Sequence, residues 1–450
     1  MRACYSISSL TIALSTTIMT DTAHSLSTKT VSTVFPEAKH FVSKEHARFE
    51  FSSAHPPVIK VDPGDLVHVE TNDCFYGKVQ PDSLSKWEKE HCDSHDHLKN
   101  GTNESRGGTY VDGSILDELP RTQRNPVTGP IYVNGAQPGD VLAVTFLDIR
   151  PKGIGVACCG SWGGQLSCWM TKNSATLRFF DMSQCGSIVT MRDPNEDKSS
   201  SNAANTANDN GTTTSVRPGS MPPLQQPPPK RLGPIAFPAS PMLGVVGVAP
   251  SPHEEDPIGT IPAGKHGGNL DNRANGIGST IYLPIHHPGG LLSMGDMHAS
   301  QGDGEISGSG VEIGGDVLLT CRVLKHEELY GKLATDCTTT SKGGYPWKLE
   351  YPVTETPTHW ITHGVVVCDI PQTTSIACQE AAKILIGQWG FSPEEAFLFL
   401  SVQGDLGLCQ ACHPDQGTQI AKMSVPRLEG LCPRAFKVLL SSSSLKMGES

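Results

Sequence analysis

Three short segments in which Gly-Asp precedes an apolar run constrain the fold of this chain more than any other feature. They are DPGDLVHVE (62–70), QPGDVLAVTF (137–146) and IGGDVLLTCRV (313–323). Glycine and aspartate favour tight turns, and alternating or fully apolar runs of this length are typical of strands. The three segments share a turn-and-strand pattern but no solenoid period. They predict a β-rich fold in which turns lead into short strands.

The composition agrees with short strands more than with long helices. Glycine provides 46 and proline 34 of the 450 residues, and 37% of the chain is hydrophobic. Two helices are nevertheless predicted near the C-terminus, because residues 375–390 have helical spacing and end on glycine, and SPEE (392–395) forms a capping box. We therefore expect a mainly β fold, with a large sandwich-like or barrel-like portion before a smaller C-terminal α/β portion.

The expected domain organisation follows from changes in composition along the chain. Residues 41–320 are predicted to form the β-rich portion and residues 321–440 the α/β portion. Two polar segments, 82–110 and 192–232, are predicted insertions, and the second is expected to be disordered because it cannot bury enough apolar surface. Residues 1–40 are expected to be a leader, either disordered or a weak targeting peptide.

Net charge excludes some classes of partner, and cysteine usage indicates a cellular compartment. The formal net charge is −11 at pH 7 without a basic run, so neither nucleic acid nor an anionic membrane surface is expected as a partner. No stretch has the length and apolar character of a membrane-spanning helix. The 14 cysteines lack the framework of a small disulfide-rich domain, which favours free thiols in a reducing compartment and hence a cytoplasmic protein.

The segment MGDMHASQGDGEISGSGVEI (294–313) carries the residues best suited to chemistry. Asp296 and His298 are two residues apart, so in a strand their side chains point to one face and can hold one ion together. A Gly-rich turn then returns Glu305 towards the same region. Carboxylates with an imidazole suit a divalent cation that activates water. The alternative is a structural hairpin with polar turn residues and a solvated histidine.

This segment resembles the signature region of the acetamidase/formamidase family, whose members hydrolyse short aliphatic amides. Five other segments resemble the family in order and spacing, the last of them less strictly: HPPVIKVDPGDLVHVETNDCF (55–75), NPVTGPIYVNGAQPGDVLAVTFLDIRP (125–151), FPASPMLGVVGVAP (237–250), HGGNLDNRANGIGSTIYLPI (266–285) and SVQGDLGLCQACHPDQGTQIAKMSVPR (401–427). The resemblance covers most of residues 45–440. It implies hydrolysis of a formamide-like or acetamide-like substrate to carboxylate and ammonia, and self-association into a homo-oligomer.

Six residues in the family-like segments are candidates for the site. The predicted metal ligands are Asp73, Asp271, Asp296 and His298, and the predicted catalytic groups are Glu305 and His266. The expected cofactor is a divalent metal ion, zinc in the first place, with calcium, magnesium or manganese as alternatives. For Asp73 the alternative is a turn cap, and for Glu305 it is a salt-bridged strand end. The Gly-rich loop from His266 to Asp271 has the alternative of a structural turn with an Asx cap.

Three other interpretations also fit the sequence. A non-catalytic β-rich protein on the same scaffold would bind a small molecule in the same pocket without hydrolysing it. A thiol of Cys74, Cys158 or Cys159 can act as a nucleophile if distant partners assemble around it. The segment CQACH (409–413) has the spacing of a c-type haem attachment site, although it lies within a family-like segment.

Overall fold

The computed structural model describes residues 34–81, 116, 119–160, 164–167, 175–183, 186–192, 234–326, 349–412 and 418–427. The predicted insertion 82–110 lies outside the described residues, as do the leader up to residue 33 and all but the first residue of the insertion 192–232. The predictions made for those segments therefore remain predictions.

Strands dominate the described part of the chain, as the sequence predicts. In chain order they are β1 (His40–Val42), β2 (Ala47–Arg48), β3 (Glu50–Phe51), β4 (Ile59–Val61), β5 (Leu66–Thr71), β6 (Val127–Val133), β7 (Val141–Gly160), β8 (Ala175–Met182), β9 (Ile188–Met191), β10 (Ile235–Pro238), β11 (Met242–Gly247), β12 (Ile258–Gly259), β13 (Ala263–Gly264), β14 (Gly267–Asn269), β15 (Thr280–Pro284), β16 (Leu292–His298), β17 (Glu312–Leu324), β18 (Val353–Glu355), β19 (His359–Val367), β20 (Asp405–Gln410) and β21 (Thr418–Pro426). The α-helices are α1 (Ile370–Trp389) and α2 (Pro393–Gln403).

One 19-stranded sheet connects nearly all of these strands, and only β3 and β12 pair separately. Its described pairings are antiparallel except β1 with β5 and β4 with β6. Strand β17 lies between β5 and β7, and β15 pairs with both β7 and β18. The mainly β fold class is thus confirmed. The expected boundary between residues 320 and 321 falls inside β17, so the two portions share one sheet.

Two of the three Gly-Asp segments form the predicted turns. Asp65 accepts a hydrogen bond from the backbone N–H of Asp62 (3.0 Å), and Asp140 accepts one from that of Gln137 (3.0 Å). Each aspartate therefore closes its turn just before β5 or β7 begins. Apolar side chains of these two strands then pack in the largest core cluster, among them Val67 and Leu142.

The third Gly-Asp segment corrects the sequence interpretation, because Gly314, Gly315 and Asp316 lie inside β17 and not in a turn. The glycines are needed there for a close approach between strands. A Cβ on Gly315 would lie 2.3 Å from the carbonyl oxygen of Arg150. Asp316 is fully buried and lies 2.8 Å from Nε2 of His68.

The two C-terminal helices form as predicted, although α1 begins five residues earlier than its apolar spacing indicates. Asp369 caps its first turn by accepting from the N–H of Gln372 (2.8 Å), and Gly390 ends it with a φ of 80°. Helix α2 starts with the predicted capping box of Ser392 and Glu395. Among the described residues, neither helix has the length and apolar character needed to cross a membrane.

A buried histidine ties the α/β portion to a loop of the larger sheet. Nδ1 of His363 lies 2.7 Å from the carbonyl oxygen of Pro352 and therefore carries the proton, while Nε2 accepts from Nδ2 of Asn272 (2.9 Å). This arrangement requires the neutral ring. Burial is the main reason that the pKa of His363 is lowered to about 4.

This histidine predicts a loss of stability in acid. Between about pH 6.5 and pH 4, the unfolded chain takes up a proton that the folded chain does not, so the free energy of unfolding falls by about 3 kcal/mol in total. Urea unfolding across this range should show that His363→Gln removes part of the acid sensitivity, whereas His253→Gln, at an exposed position, should not. Equal pH dependence in the wild type and His363→Gln would contradict the prediction.

Candidate active site

Five buried ionisable side chains meet where β16 ends and β17 begins. We call them the carboxylate cluster, and they are Asp271, Asp296, His298, Glu305 and Glu312, each at most 7% exposed. Strand β16 supplies Asp296 and His298, and His298 pairs in register with Glu312, the first residue of β17. Asp271 follows β14, and Glu305 lies in the connection between β16 and β17. The hairpin thus brings together residues from a short stretch, and one distant loop adds Asp271.

Possible metal ligands in the cluster, together with the neighbouring Cys74, form two adjoining groups. One atom each of Asp271, His298 and Glu305 lie within 4.8 Å of one another. The same limit holds for a second group, which consists of Cys74, Asp296 and Glu312. The His298 ring joins the two groups, because its Nε2 lies 3.6 Å from Oδ1 of Asp296 and 2.9 Å from Oε2 of Glu312.

Gln301 fixes the orientation of the His298 ring. Its Nε2 donates to the carbonyl oxygen of Asp271 (2.7 Å), so its Oε1 must be the acceptor for Nδ1–H of His298, also at 2.7 Å. A proton held on Nδ1 leaves Nε2 to face the carboxylates. A ring fixed in this way by a hydrogen bond from its far nitrogen is typical of histidine ligands to metals.

The carboxylates are only partly satisfied by hydrogen bonds. Asn125 donates to Oδ2 of Asp296 (2.9 Å), Gln410 donates to Oδ2 of Asp271, and the N–H of Gly310 donates to Oε1 of Glu312 (2.9 Å). Oδ1 of Asp271 and Oδ1 of Asp296 are buried without a hydrogen-bond partner, and Oε2 of Glu312 has Nε2 of His298 as its neighbour at 2.9 Å. Buried polar atoms without partners are costly, so the donor set fits a cation with oxygen and imidazole ligands.

The pKa shifts describe how the cluster holds protons without a cation. Burial and the charge of Glu312 raise the pKa of Asp296 to about 8, and burial with the charge of Asp271 raises that of Glu305 well above its usual value. Burial alone would lower the pKa of His298, but the carboxylates of Glu312 and Asp296 hold it well above normal. The raised pKa values favour the protonated forms of Glu305 and of the His298 ring, whose Nε2 faces Oε2 of Glu312 at 2.9 Å.

The backbone is strained at the same residues. Asp271, Asp296 and Glu305 have φ values of 45°, 53° and 44°, and Asn125, which donates to Asp296, has a φ of 52°. Residues other than glycine rarely adopt this left-handed conformation, and such strain persists mainly at functional sites. Because four strained residues lie in or beside one cluster, the strained backbone indicates a functional site and not only a packing arrangement.

Two glycines make room for the cluster. A Cβ on Gly244 would lie 2.4 Å from Oδ1 of Asp271 and 2.9 Å from Oδ2 of Asp296. A Cβ on Gly310 would lie 2.5 Å from Nδ1 of His298. Each glycine therefore lets the backbone approach closer than any other residue would permit.

A cavity of about 210 Å³ opens onto the cluster. Its wall includes all four carboxyl groups, whereas His298 is not part of it. The amide side chains in the wall are Asn125, Asn269 and Gln410, and the thiols are Cys74, Cys158 and Cys412. The volume lies below the range of about 300–1,000 Å³ that is usual for drug-sized ligands, so the cavity suits a small polar molecule.

The thiols of the wall are poorly suited to nucleophilic attack. Burial raises the pKa of Cys158 to about 12, and burial followed by the charge of Glu312 raises that of Cys74 well above its usual value. Burial and the nearby Glu305 also raise the pKa of Cys412. Since the thiolate is the nucleophile, these shifts disfavour the thiol-amidase interpretation.

Four of the six residues predicted from sequence lie together in the cluster, and two do not. Asp73 takes the turn-capping arrangement, because its Oδ1 accepts from the N–H groups of Phe75 and Gly77 (2.9 Å each) and its side chain is absent from the cavity wall. His266 lies against Glu254, with Nδ1 3.0 Å from Oε1, and it is likewise outside the wall. Neither residue is assigned a role in the proposed active site.

Sequence reasoning missed Glu312, Asn125, Gln301 and Gln410. Glu312 had a detectable signal, because it is an acidic residue between the apolar Val311 and Ile313, within the same segment 294–313 that carries Asp296. The amides had none, since their contacts depend on the tertiary fold. In the haem-like segment, Cys409 is fully buried and Cys412 lies in the cavity wall, whereas His413 is outside the described residues.

The sequence is similar to those of proteins named acetamidase or formamidase. The model of the acetamidase/formamidase family matches residues 91–257 and 253–407. An acetamidase from Mycolicibacterium smegmatis is 29% identical over 310 residues, which are 61% of this chain and 72% of that enzyme. A formamidase from Methylophilus methylotrophus is 28% identical over 282 residues, 58% of this chain and 60% of that enzyme. This chain therefore spans less than two thirds of some curated relatives that it matches.

The fold is also similar to that of a solved structure. The crystal structure of an acetamidase from Bacillus halodurans has a TM-score of 0.59 and is 27% identical. The likeness covers 86% of this chain and 97% of the other. The structural agreement thus extends over nearly all of that protein.

Proposed function

The chain belongs to the acetamidase/formamidase family, and from this premise we propose that it hydrolyses a short linear amide, formamide-like or acetamide-like, to the carboxylate and ammonia. We propose further that a divalent cation assists the reaction. The observation that carries both proposals is the carboxylate cluster, whose buried oxygens without partners face a small cavity and sit on strained backbone.

Three residues of the cluster would hold the cation, namely Asp271, Asp296 and His298. Asp271 and Asp296 each offer a buried oxygen without a hydrogen-bond partner, and Gln301 orients the His298 ring so that its Nε2 faces the carboxylates. When bound, a divalent cation acts as a Lewis acid and supplies a nucleophilic water at neutral pH. An imidazole beside carboxylates favours zinc among the candidate ions.

Glu305 would move the proton that amide cleavage requires. Its carboxyl group lines the cavity, and burial raises its pKa well above the usual value, which favours the protonated acid. Amide hydrolysis must deliver a proton to the leaving nitrogen, and a carboxylic acid with a raised pKa is suited to that step. Glu305 therefore takes the role of general acid beside the reacting bond.

Asn269 would orient the substrate. Its side chain lines the cavity, and its Oδ1 is buried without a hydrogen-bond partner. An acceptor in that position matches the N–H donors of a primary amide. A longer substrate would have to fit the same cavity of about 210 Å³, so turnover should fall as the acyl chain lengthens.

The test combines ammonia release with metal analysis. The purified, zinc-loaded wild type should release ammonia from formamide or acetamide and retain zinc after desalting. His298→Ala should lose both properties, because it removes the only imidazole of the carboxylate cluster. If the metal-loaded wild type releases no ammonia from a panel of short amides, the proposal fails. If the wild type releases ammonia equally well after complete metal removal, the proposed role of the cation is wrong.

A further inference from the structure

The cavity has an apolar side to which the proposed function assigns no role. Two of its lining residues, Phe75 and Cys158, are 3% and 8% exposed and pack in one satellite hydrophobic cluster. Ile261 and Pro262 also line the cavity, but they are only half-buried. We call the side chains of Phe75 and Cys158 the apolar wall. It is the part of the cavity lining that continues into the protein core.

Hydrogen bonds hold the backbone of both residues of the apolar wall. The N–H of Phe75 donates to Oδ1 of Asp73 (2.9 Å), and its carbonyl oxygen accepts from the N–H of Lys78 (3.1 Å). Cys158 lies within β7, which pairs with β8 along this stretch, and its N–H donates to the hydroxyl of Ser309 (3.2 Å). The apolar wall therefore cannot retreat from a bulky ligand without breaking these bonds.

The apolar wall adjoins the carboxylate cluster. Cys74 packs in the same hydrophobic cluster as Phe75, and its Sγ lies within 4.8 Å of carboxylate oxygens of Asp296 and Glu312. Burial and then the charge of Glu312 raise the pKa of Cys158 to about 12, so its thiol stays neutral and behaves as a small hydrophobe. A molecule that fills the cavity of about 210 Å³ thus meets polar groups at one end and apolar groups at the other.

This division orients an amide. Its N–H and carbonyl groups can exchange hydrogen bonds with the polar end, whereas its acyl chain cannot. An acyl chain beside the carboxylates would take them out of water without compensation, and that is costly. The same chain against the apolar wall is itself removed from water, which is favourable. The carboxamide therefore faces the carboxylate cluster, and the acyl group faces Phe75 and Cys158.

We propose that Phe75 and Cys158 set the length of the acyl chain that the site accepts. The substrates are then neutral primary amides with a short, unbranched aliphatic acyl group. Charged or hydroxylated acyl groups are excluded, because the apolar wall offers them only carbon atoms and a neutral thiol. The inference deepens the proposed function and rests on it.

The experiment compares kcat/KM for formamide, acetamide and propionamide, each as a ratio to acetamide, so that the fraction of folded enzyme cancels. Phe75→Leu should raise the ratio of propionamide to acetamide by about ten-fold, because one methylene in a hydrophobic pocket is worth about 10–200-fold. Cys158→Val adds a methyl group to the apolar wall at a strand position that suits a β-branched residue. It should raise the ratio of formamide to acetamide by about ten-fold.

Phe179→Leu is the matched control for Phe75→Leu. Phe179 is similarly buried and packs in the same hydrophobic cluster, but it does not line the cavity. The variant loses the same part of an aromatic ring and should keep the wild-type ratios. If the propionamide ratio is unchanged in Phe75→Leu, or rises equally in Phe179→Leu, the inference is overturned and the proposed function stands.

Calorimetry with the same amides tests the apolar wall without the reaction. If the wild type releases no ammonia, the proposed function fails, but the affinities still report on the apolar wall. Relative to acetamide, Phe75→Leu should bind propionamide about ten-fold more tightly than the wild type does. Equal relative affinities in the two proteins, or no binding of any amide, would overturn the inference.

Discussion

Glu305→Gln should lower kcat for ammonia release by about 10²–10⁴-fold, the usual contribution of a general acid or base. Glutamine has nearly the same shape but cannot give up a proton, so binding of the amide should change much less than turnover. The effect should therefore appear in kcat more than in KM, and zinc content should remain that of the wild type. Steady-state kinetics with formamide and acetamide, together with metal analysis, measure both properties.

A second buried glutamate provides the control for this variant. Glu380 on α1 is 4% exposed and belongs to neither ligand group of the cluster. Glu380→Gln should leave kcat near the wild-type value, because Glu380 is similarly buried but lies outside the carboxylate cluster, where it pairs with Lys383. If Glu305→Gln retains full activity, Glu305 is not the proton carrier. If the wild type binds amides without hydrolysing them, the non-catalytic binding protein becomes the better description.

Gly310→Ala should reduce kcat/KM by about 10²-fold through a change of one methyl group outside the cavity wall. The added Cβ would lie 2.5 Å from Nδ1 and 2.8 Å from Cγ of His298, so the ring must move. A displacement of about 1 Å at a catalytic group can lower the rate by that factor. Zinc affinity should also fall by at least ten-fold, because the bond from His298 to Gln301 is disturbed.

Gly302→Ala is the matched control for this prediction. Gly302 lies in the same connection between β16 and β17, but a Cβ there would meet nothing within 4 Å. This variant should retain both zinc affinity and activity. Urea unfolding of both variants separates a local displacement of His298 from a general loss of stability, which overpacking puts at about 1–3 kcal/mol. Equal kinetics in the two variants would show that His298 need not be held at its present position.

The hairpin that carries the site could be anticipated from sequence because its signals are local. The i, i+2 spacing of Asp296 and His298 and the Gly-rich turn before Glu305 depend only on nearby residues, and the structure places His298 beside both Asp296 and Glu305. The same holds for the capping box of α2 and the turn closed by Asp65. Such features need no knowledge of distant contacts.

The remainder of the site could not be anticipated, because tertiary contacts decide it. After β5, the sequence predicts Asp73 as a metal ligand and Cys74 only as a possible nucleophile, but Cys74 is the residue whose side chain lies near Asp296 and Glu312. Asp73 instead closes the turn that follows β5, because its Oδ1 accepts from the N–H groups of Phe75 and Gly77. The role of Gln410 depends on where β20 lies, and no local pattern of glutamine indicates that.

The Gly-rich turn contacts the C-terminal portion, and this contact determines when the active-site cavity is completed during folding. Gly304 bridges to Gln410, and Ala411 donates to the carbonyl oxygen of Gly304 (2.9 Å), so the last wall of the cavity comes from more than 100 residues downstream. Such non-local pairings form late, because a long loop must close first. The active-site cavity is therefore complete only after the newly made chain has folded as a whole. Enzymatic turnover would then report complete folding of this polypeptide.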